Sequence, residues 1–333
     1  MSDPAQVLDA LRRAGESPCS GEALSEVLGV SRAQVWKHVE TLRGRGYVIA
    51  GEPGGGYRLA SVPDRLYAEE LRHGLQTRWL GCEIHHFDSL DSTNREAADR
   101  ARRGAPHGAV VLAEGQTAGR GRLGRSFFSP PYLNLYHSIV LRPALTLAEA
   151  PGVILAAGLA VAESVAAEVG DSRDVEIKWP NDVLLGGLKT SGILMELAAE
   201  ATRVGFLVLG IGVNLNVDRE AFPADFRAQA SSVASHCGRR VDRVAFTQRL
   251  WVTLEGVLDV HADRGFEALR PRFASFFRMA GRPVRVADVG GAETAGIAAG
   301  VDGDGALLVD DAAGRRHRLL AGDVTVQKEA APS

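Results

Sequence analysis

Cysteine is nearly absent: Cys19, Cys82 and Cys237 are the 3 in 333 residues, far apart and forming no Cys-x-x-Cys pair. That argues against a disulfide framework or a zinc ribbon and predicts a reducing, cytoplasmic setting. A strong charge of either sign is missing too. With a net charge of −3, the chain has no global basic field, and any nucleic-acid contact has to be local. The start, Met1-Ser2-Asp3-Pro4, has no basic n-region or apolar h-region, so no signal peptide is expected. The most apolar stretch, Pro151 to Val169, contains Glu163 and Glu168 and many small residues. It predicts a buried helix, not a membrane span. No internal repeat or low-complexity tract occurs. The remaining composition, 45% apolar and 24% charged, suits a soluble chain long enough for two or three domains.

The most distinctive stretch is Gly119-Arg120-Gly121-Arg122-Leu123-Gly124-Arg125. Arginine is a fixed-charge fork for phosphate and carboxylate oxygens, and glycine lets the backbone approach a ligand closely. Together they predict a loop that holds something anionic. The glycine spacing also fits a dinucleotide fingerprint, which should open a helix. Here Ser126 to Pro131 follows, and Pro131 cannot continue a helix. A kinase loop is excluded as well, because no His-Arg-Asp or Asp-Phe-Gly follows.

From the N-terminus, apolar residues at helical spacing predict helices over residues 4–15, over Ser20 to Gly29, and over Arg32 to Arg43 with Ser31 as cap. The second and third form a helix-turn-helix, and Tyr47 to Leu59 reads as a hairpin wing. The third helix is expected to present Ser31, Arg32, Gln34, Lys37 and His38 to DNA, the polar side chains reading base edges and holding phosphates. Residues 1–62 carry seven Lys or Arg and seven Asp or Glu, a net of zero. Weak binding by a lone monomer follows, since phosphate neutralisation drives affinity.

A linker leads to a helix over Asp64 to Leu75. Next come a strand at Ile84 to Phe87, then Asp91-Ser92-Thr93-Asn94, which caps a helix and could bind a polar ligand group. Gln116 lies at the mouth of the glycine–arginine loop. Strands are expected at Asp174 to Trp179, Val183 to Leu185, Ile193 to Leu197 and Val204 to Leu209. The last ends in Gly210-Ile211-Gly212-Val213-Asn214, where glycine permits flat ligand contact. Lys189-Thr190-Ser191-Gly192 is no P-loop, because a strand follows it. Helices at about 242–263 and 266–277 precede a run of short strands from Pro283 to Val326. The whole predicts a multidomain α+β protein. It comprises a winged helix-turn-helix over 1–62, a central mixed-sheet domain over 63–278, and a small β-barrel over 279–328.

Three of these stretches, the glycine–arginine loop, Lys178-Trp179-Pro180-Asn181-Asp182 and Lys189-Thr190-Ser191-Gly192-Ile193-Leu194, resemble the signatures of biotin–protein ligases. Asp91 to Asn94 and Gly210 to Asn214 fit in order and spacing. With the N-terminal domain, residues 5–327 resemble the bifunctional biotin ligase and biotin-operon repressor family. That resemblance implies the ligase fold shared with class II aminoacyl-tRNA synthetases and a C-terminal SH3-like domain. It also implies biotin, ATP and Mg²⁺, a biotinyl-5′-adenylate intermediate, and transfer to a lysine of a biotin carboxyl carrier protein. Ser92, Thr93, Asn94, Gln116, Gly119, Arg120, Gly121, Arg122, Lys189, Gly192, Gly210 and Gly212 would contact biotin. Arg122, Arg125, Phe127, Lys178, Asn181, Asp182, Lys189 and Asn214 would serve the nucleotide, with Phe127 against adenine. Asp182 would hold the metal, and Lys189, Arg122 and Asp182 would carry the chemistry. A homodimer formed on the adenylate would place two winged helices on operator DNA. Two departures stand out: the wing turn Pro53-Gly54-Gly55-Gly56 lacks a lysine some relatives carry, and Thr190 replaces an apolar residue. A lipoate ligase would lack the glycine–arginine loop, and a sensor without activity would have lost Lys189 or Arg122.

Overall fold

A computed structural model describes residues 3–52, 55–200, 203–288 and 290–326; Pro53 and Gly54 of the wing turn, and Gln327 and Lys328 at the end of the expected third domain, lie outside them. The chain divides after Arg65 into two compact units.

In the first unit, helix α1 (Pro4–Ala14) starts from a capping box between Asp3 and Gln6, with Pro4 in its first turn. Ser20 caps α2 (Gly21–Leu28) and Ser31 caps α3 (Arg32–Gly44), each hydroxyl accepting a backbone N–H three residues on. Strands β1 (Val48–Glu52) and β2 (Gly56–Ser61) pair antiparallel as the wing. Val7, Leu8, Leu11, Leu24, Val35, Val39 and Leu42 are buried, one apolar stripe from each helix.

The second unit opens with α4 (Ala68–Arg72). This helix is shorter than the sequence predicts. The Leu66 N–H donates to Glu114 Oε1 at 2.9 Å, which ties the chain to the sheet before a helix can start. Strand β3 (Ile84–Phe87), helix α5 (Thr93–Arg102) and strands β4 (Val110–Ala113) and β5 (Leu135–Leu141) follow. Then come α6 (Ala150–Val169), β6 (Val175–Lys178), β7 (Asp182–Leu185), β8 (Leu188–Glu200) and β9 (Arg203–Val213). The seven strands form one sheet in the order β3-β4-β5-β9-β8-β7-β6. Only β3 and β4 run parallel among its pairs, so the sheet is mixed.

Short helices α7 (Ala224–Arg227) and α8 (Val233–Cys237) lead to α9 (Arg243–Arg264) and α10 (Arg270–Phe276). Alternate residues of the central strands serve two cores. Ala97 and Ala101 of α5 pack on Val111, Val140 and Val208. On the opposite face α6 and α9 cover Val110, Leu112, Ile139 and Leu209. This is why α6 is apolar all round: it is a core helix, as expected.

Strands β10 (Pro283–Ala287), β11 (Glu293–Val301), β12 (Leu307–Asp310), β13 (Arg316–Leu319) and β14 (Asp323–Val326) form an antiparallel sheet. Their order is β13-β12-β11-β10-β14. Val284, Val286, Ala298 and Leu307 belong to the same core as Leu155 and Phe266, and Trp179 Nε1 donates to Gly305 O at 3.0 Å. The β-domain is therefore packed into the second unit and does not stand apart from it.

Candidate active site

The face of the large sheet that α5 covers becomes bare beyond the helix N-terminus. Along β9 that face reads Val208, Gly210, Gly212. Val208 packs under α5, and the glycines leave the floor of a cleft of about 760 Å³. Every residue expected to serve the ligase reaction lines this cleft except Gly119. A side chain at Gly119 would strike Phe127 O at 2.5 Å and Ser129 Oγ at 2.6 Å, so its glycine is needed by the loop itself.

The floor glycines have protein partners. A Cβ at Gly210 would lie 1.9 Å from Asn94 Oδ1, and one at Gly212 would lie 2.6 Å from the Phe127 ring. The same ring passes over Gly192 and meets Tyr136 edge to face, with centroids 6.3 Å apart. Close packing of Asn94 and Phe127 thus requires these glycines before any ligand is considered.

Ser92 is the N-cap of α5, but its own side chain makes no capping bond. Thr93 and Asn94 are tied to the sheet instead. Ser138 Oγ lies 2.8 Å from Thr93 Oγ1 and 2.6 Å from Asn94 Oδ1, and Asn94 Nδ2 donates to Leu194 O and Glu196. Gln116 accepts from the Thr93 N–H at 2.9 Å and donates to Ser129 Oγ at 3.0 Å. Arg120 forms an ion pair with Glu196 at 2.8 Å.

At the other end, Lys189 Nζ stands 2.7 Å from Asp182 Oδ1, close enough for an ion pair but off hydrogen-bond geometry, so this buried oxygen has no donor. Arg122 reaches over the cleft, donating to Asn181 Oδ1 at 3.1 Å and Gly322 O at 3.2 Å. Burial pushes its guanidinium pKa down, while Asp323 and Asp182 oppose that shift. Asn181 is itself anchored to Ile193 O at 2.9 Å. Arg125 pairs with Asp323. Asn214 donates to Ser231 O, and its buried Oδ1 has no partner. Lys178 completes the wall.

Two further contributors lie outside the ligase signatures. Residues 323–326 of β14 line the cleft, as do Phe222, Asp225 and Phe226 from the segment around α7, between β9 and α8. That segment is joined to the site by the Lys189 N–H donating to Gln229 O at 2.7 Å. Only folding brings Asp323 to the arginine loop.

Comparison with known proteins decides the family. Residues 86–214 match the model of the biotin/lipoate A/B protein ligase family, 5–58 an HTH domain and 280–326 the biotin protein ligase C-terminal domain. The bifunctional ligase/repressor BirA of Bacillus spizizenii is 35% identical over 318 residues, 96% of this chain and 97% of that protein. The Escherichia coli protein of the same name is 34% identical over 87% of this chain and 88% of its own length. The chain belongs to the bifunctional ligase/repressor BirA family. Among solved structures, the Aquifex aeolicus biotin protein ligase in complex with biotin and ATP superposes with a TM-score of 0.63 at 25% identity. The match covers 74% of this ligase and all of the Aquifex aeolicus chain.

The helix-turn-helix of this ligase departs from expectation at one residue. Ser31, Arg32 and Lys37 are exposed, but His38 is buried at 6% exposure. It belongs to the core-facing stripe with Val35, Val39 and Leu42, and its Nε2 is 3.1 Å from Gln34 Nε2. Trp36 is a further outward side chain of this helix, 54% exposed.

Proposed function

We propose that the cleft condenses biotin with ATP and then delivers biotin to a lysine of a carboxylase's biotin carboxyl carrier protein. The observation that carries this reading is the arrangement of Arg122 and the Lys189–Asp182 pair about one glycine-floored cleft. In the first step a biotin carboxylate oxygen attacks the α-phosphorus and pyrophosphate leaves. Lys189 and Arg122 stabilise the negative charge that grows on the phosphate oxygens, acting as fixed cations in a partly water-excluded site. In the second step the acceptor lysine nitrogen attacks the acyl carbon and AMP leaves, with Asp182 accepting the amine proton.

Biotin rests among Ser92, Thr93, Gln116 and the floor glycines. The nucleotide lies toward Arg125, Lys178, Asn181 and Asn214. Asp182 suits Mg²⁺, since its Oδ1 is buried without a donor and one carboxylate is enough for an ion that arrives on phosphates. When bound, the ion would neutralise charge on the phosphates. Among the described residues no group of three His, Cys, Asp or Glu could cage a metal alone.

The same protein represses biotin genes through α3, with Ser31, Arg32 and Lys37 toward operator DNA. Adenylate-dependent dimerisation would present two helices to two half-sites. One preparation tests both halves. With biotin and MgATP the full chain should biotinylate a carrier domain and should recover one palindromic genomic site. An inert carrier domain would sink the ligase reading; recovery of the same fragments with and without ligand would sink ligand-dependent repression.

A further inference from the structure

We propose that Trp36 of α3 is a base-reading residue of the repressor: its indole packs on the methyl group of a thymine in the major groove of operator DNA. The inference rests on the repressor reading of the first unit.

Packing removes two side chains that would read bases by hydrogen bonding. His38 lies on the buried stripe, and the half-buried Gln34 is drawn to it, with its Nε2 3.1 Å from His38 Nε2. What α3 turns outward instead is Ala33 and Trp36, three residues apart and so on one face, with Arg32 and Lys37 beside them. Glu40, one turn further on, would repel phosphates, but its carboxylate is paired with Arg43 at 2.7 Å. The chain has four tryptophans. Trp179 and Trp251 are core residues, and Trp79 is half-buried with its Nε1 donating to Asp259 Oδ1 at 3.0 Å. Trp36 is the exposed one, and it stands on the helix that the repressor reading lays in the groove.

Its neighbours fit that occupant. A ring and a methyl group flanked by two cations, continuous with Ser31, suit a groove walled by phosphates and floored by base edges. On that floor the apolar group is the thymine methyl, while the other bases present hydrogen-bonding atoms. A ring face laid on those atoms would desolvate them without a partner, whereas on the methyl it buries apolar surface on both sides. Trp36 therefore favours thymine at the position it covers. Residues 1–62 have no net charge, so phosphate neutralisation contributes little and contacts of this kind carry more of the recognition.

The test uses the full chain with biotin and MgATP. The probe is the duplex that the wild type recovers from genomic DNA, resynthesised with one thymine at a time replaced by deoxyuridine, which removes only the methyl. The wild type should lose affinity about fourfold at one position of a half-site, the worth of one buried methyl group. Trp36→Ala should bind the unmodified duplex about tenfold more weakly and be indifferent to uridine at that position. Trp36→Phe should keep the sensitivity. Both variants should retain the wild-type thermal midpoint and rate of carrier biotinylation, and adding the duplex to wild type should shield the exposed tryptophan from acrylamide. A uridine scan that affects wild type and Trp36→Ala alike would overturn the proposal. So would loss of the dimer in Trp36→Ala by sedimentation, which would make the ring a protein contact. Were Trp36→Ala to bind nothing, the quenching would decide, since a ring still open to acrylamide in the complex touches no base. Failure of the wild type to select any fragment would instead overturn the repressor reading, and this inference with it.

Discussion

Arg122 has its guanidinium on Asn181 of the cleft wall and on the Gly322 carbonyl of the β-domain, so it closes the cleft as well as carrying charge. Arg122→Gly should open the cover over the labile mixed anhydride, and escaping adenylate should label bystander proteins. Labelling confined to the carrier domain in a mixture with serum albumin would refute this. His137 poses a separate question. It is fully buried on β5, both ring nitrogens lack partners, and burial pushes its pKa down to about 3. The unfolded chain binds a proton there below about pH 6.5 and the folded chain does not, so stability falls as pH drops from about 6.5 toward about 3. His137→Leu should be at least as stable as wild type at pH 7. Its advantage should widen by about 1.4 kcal/mol per pH unit below 6.5, read from denaturant midpoints. A constant gap would show that His137 is not neutral in the fold.

At the scale of elements, the turns that carry Gln116 and Asn214 are braced by one buried network. Arg243 of α9 donates to Glu114 Oε2 at 2.8 Å and to Asn134 O at 3.2 Å, and Asn134 Oδ1 accepts from the Leu215 N–H at 2.9 Å. Burial opposes the charge on Glu114, but His86, Arg243 and the Leu66 N–H outweigh it and bring its pKa to about 2. Arg243→Met removes that carboxylate's fully buried counter-charge and should cost about 3–5 kcal/mol. The double variant Arg243→Met, Glu114→Gln should lose less than Arg243→Met alone in the same denaturant titration. An equal or larger loss would mean that packing of Arg243, and not charge, is what matters.

At the scale of the molecule, every side chain assigned to the ligase lies in the unit that starts at Leu66, and the helix-turn-helix lies in the other. A chain of residues 66–333 should therefore keep carrier biotinylation within about twofold, a free-energy change under about 0.5 kcal/mol. It should lose DNA recovery completely. A truncated chain that folds but cannot label the carrier would make the first unit part of the enzyme.

The sequence by itself determined the helices of the first unit, since caps and apolar spacing are local. It also held the positions of most strands along the chain and the stretches that resemble the ligase signatures, because both are written in residues at short spacing. Tertiary structure decided what depends on distant neighbours. His38 looked like a base-reading side chain until packing placed it on the buried stripe with Val39. The glycines at 210 and 212 line the cleft, and only the fold shows that a side chain there would also strike Asn94 and Phe127. Asp323 bore no motif, because an aspartate at the start of a strand is unremarkable until the strand is laid beside the arginine loop. Residue type and spacing record local hydrogen bonding and chemistry; which side chains share a cavity is set by sheet register and the packing of one core.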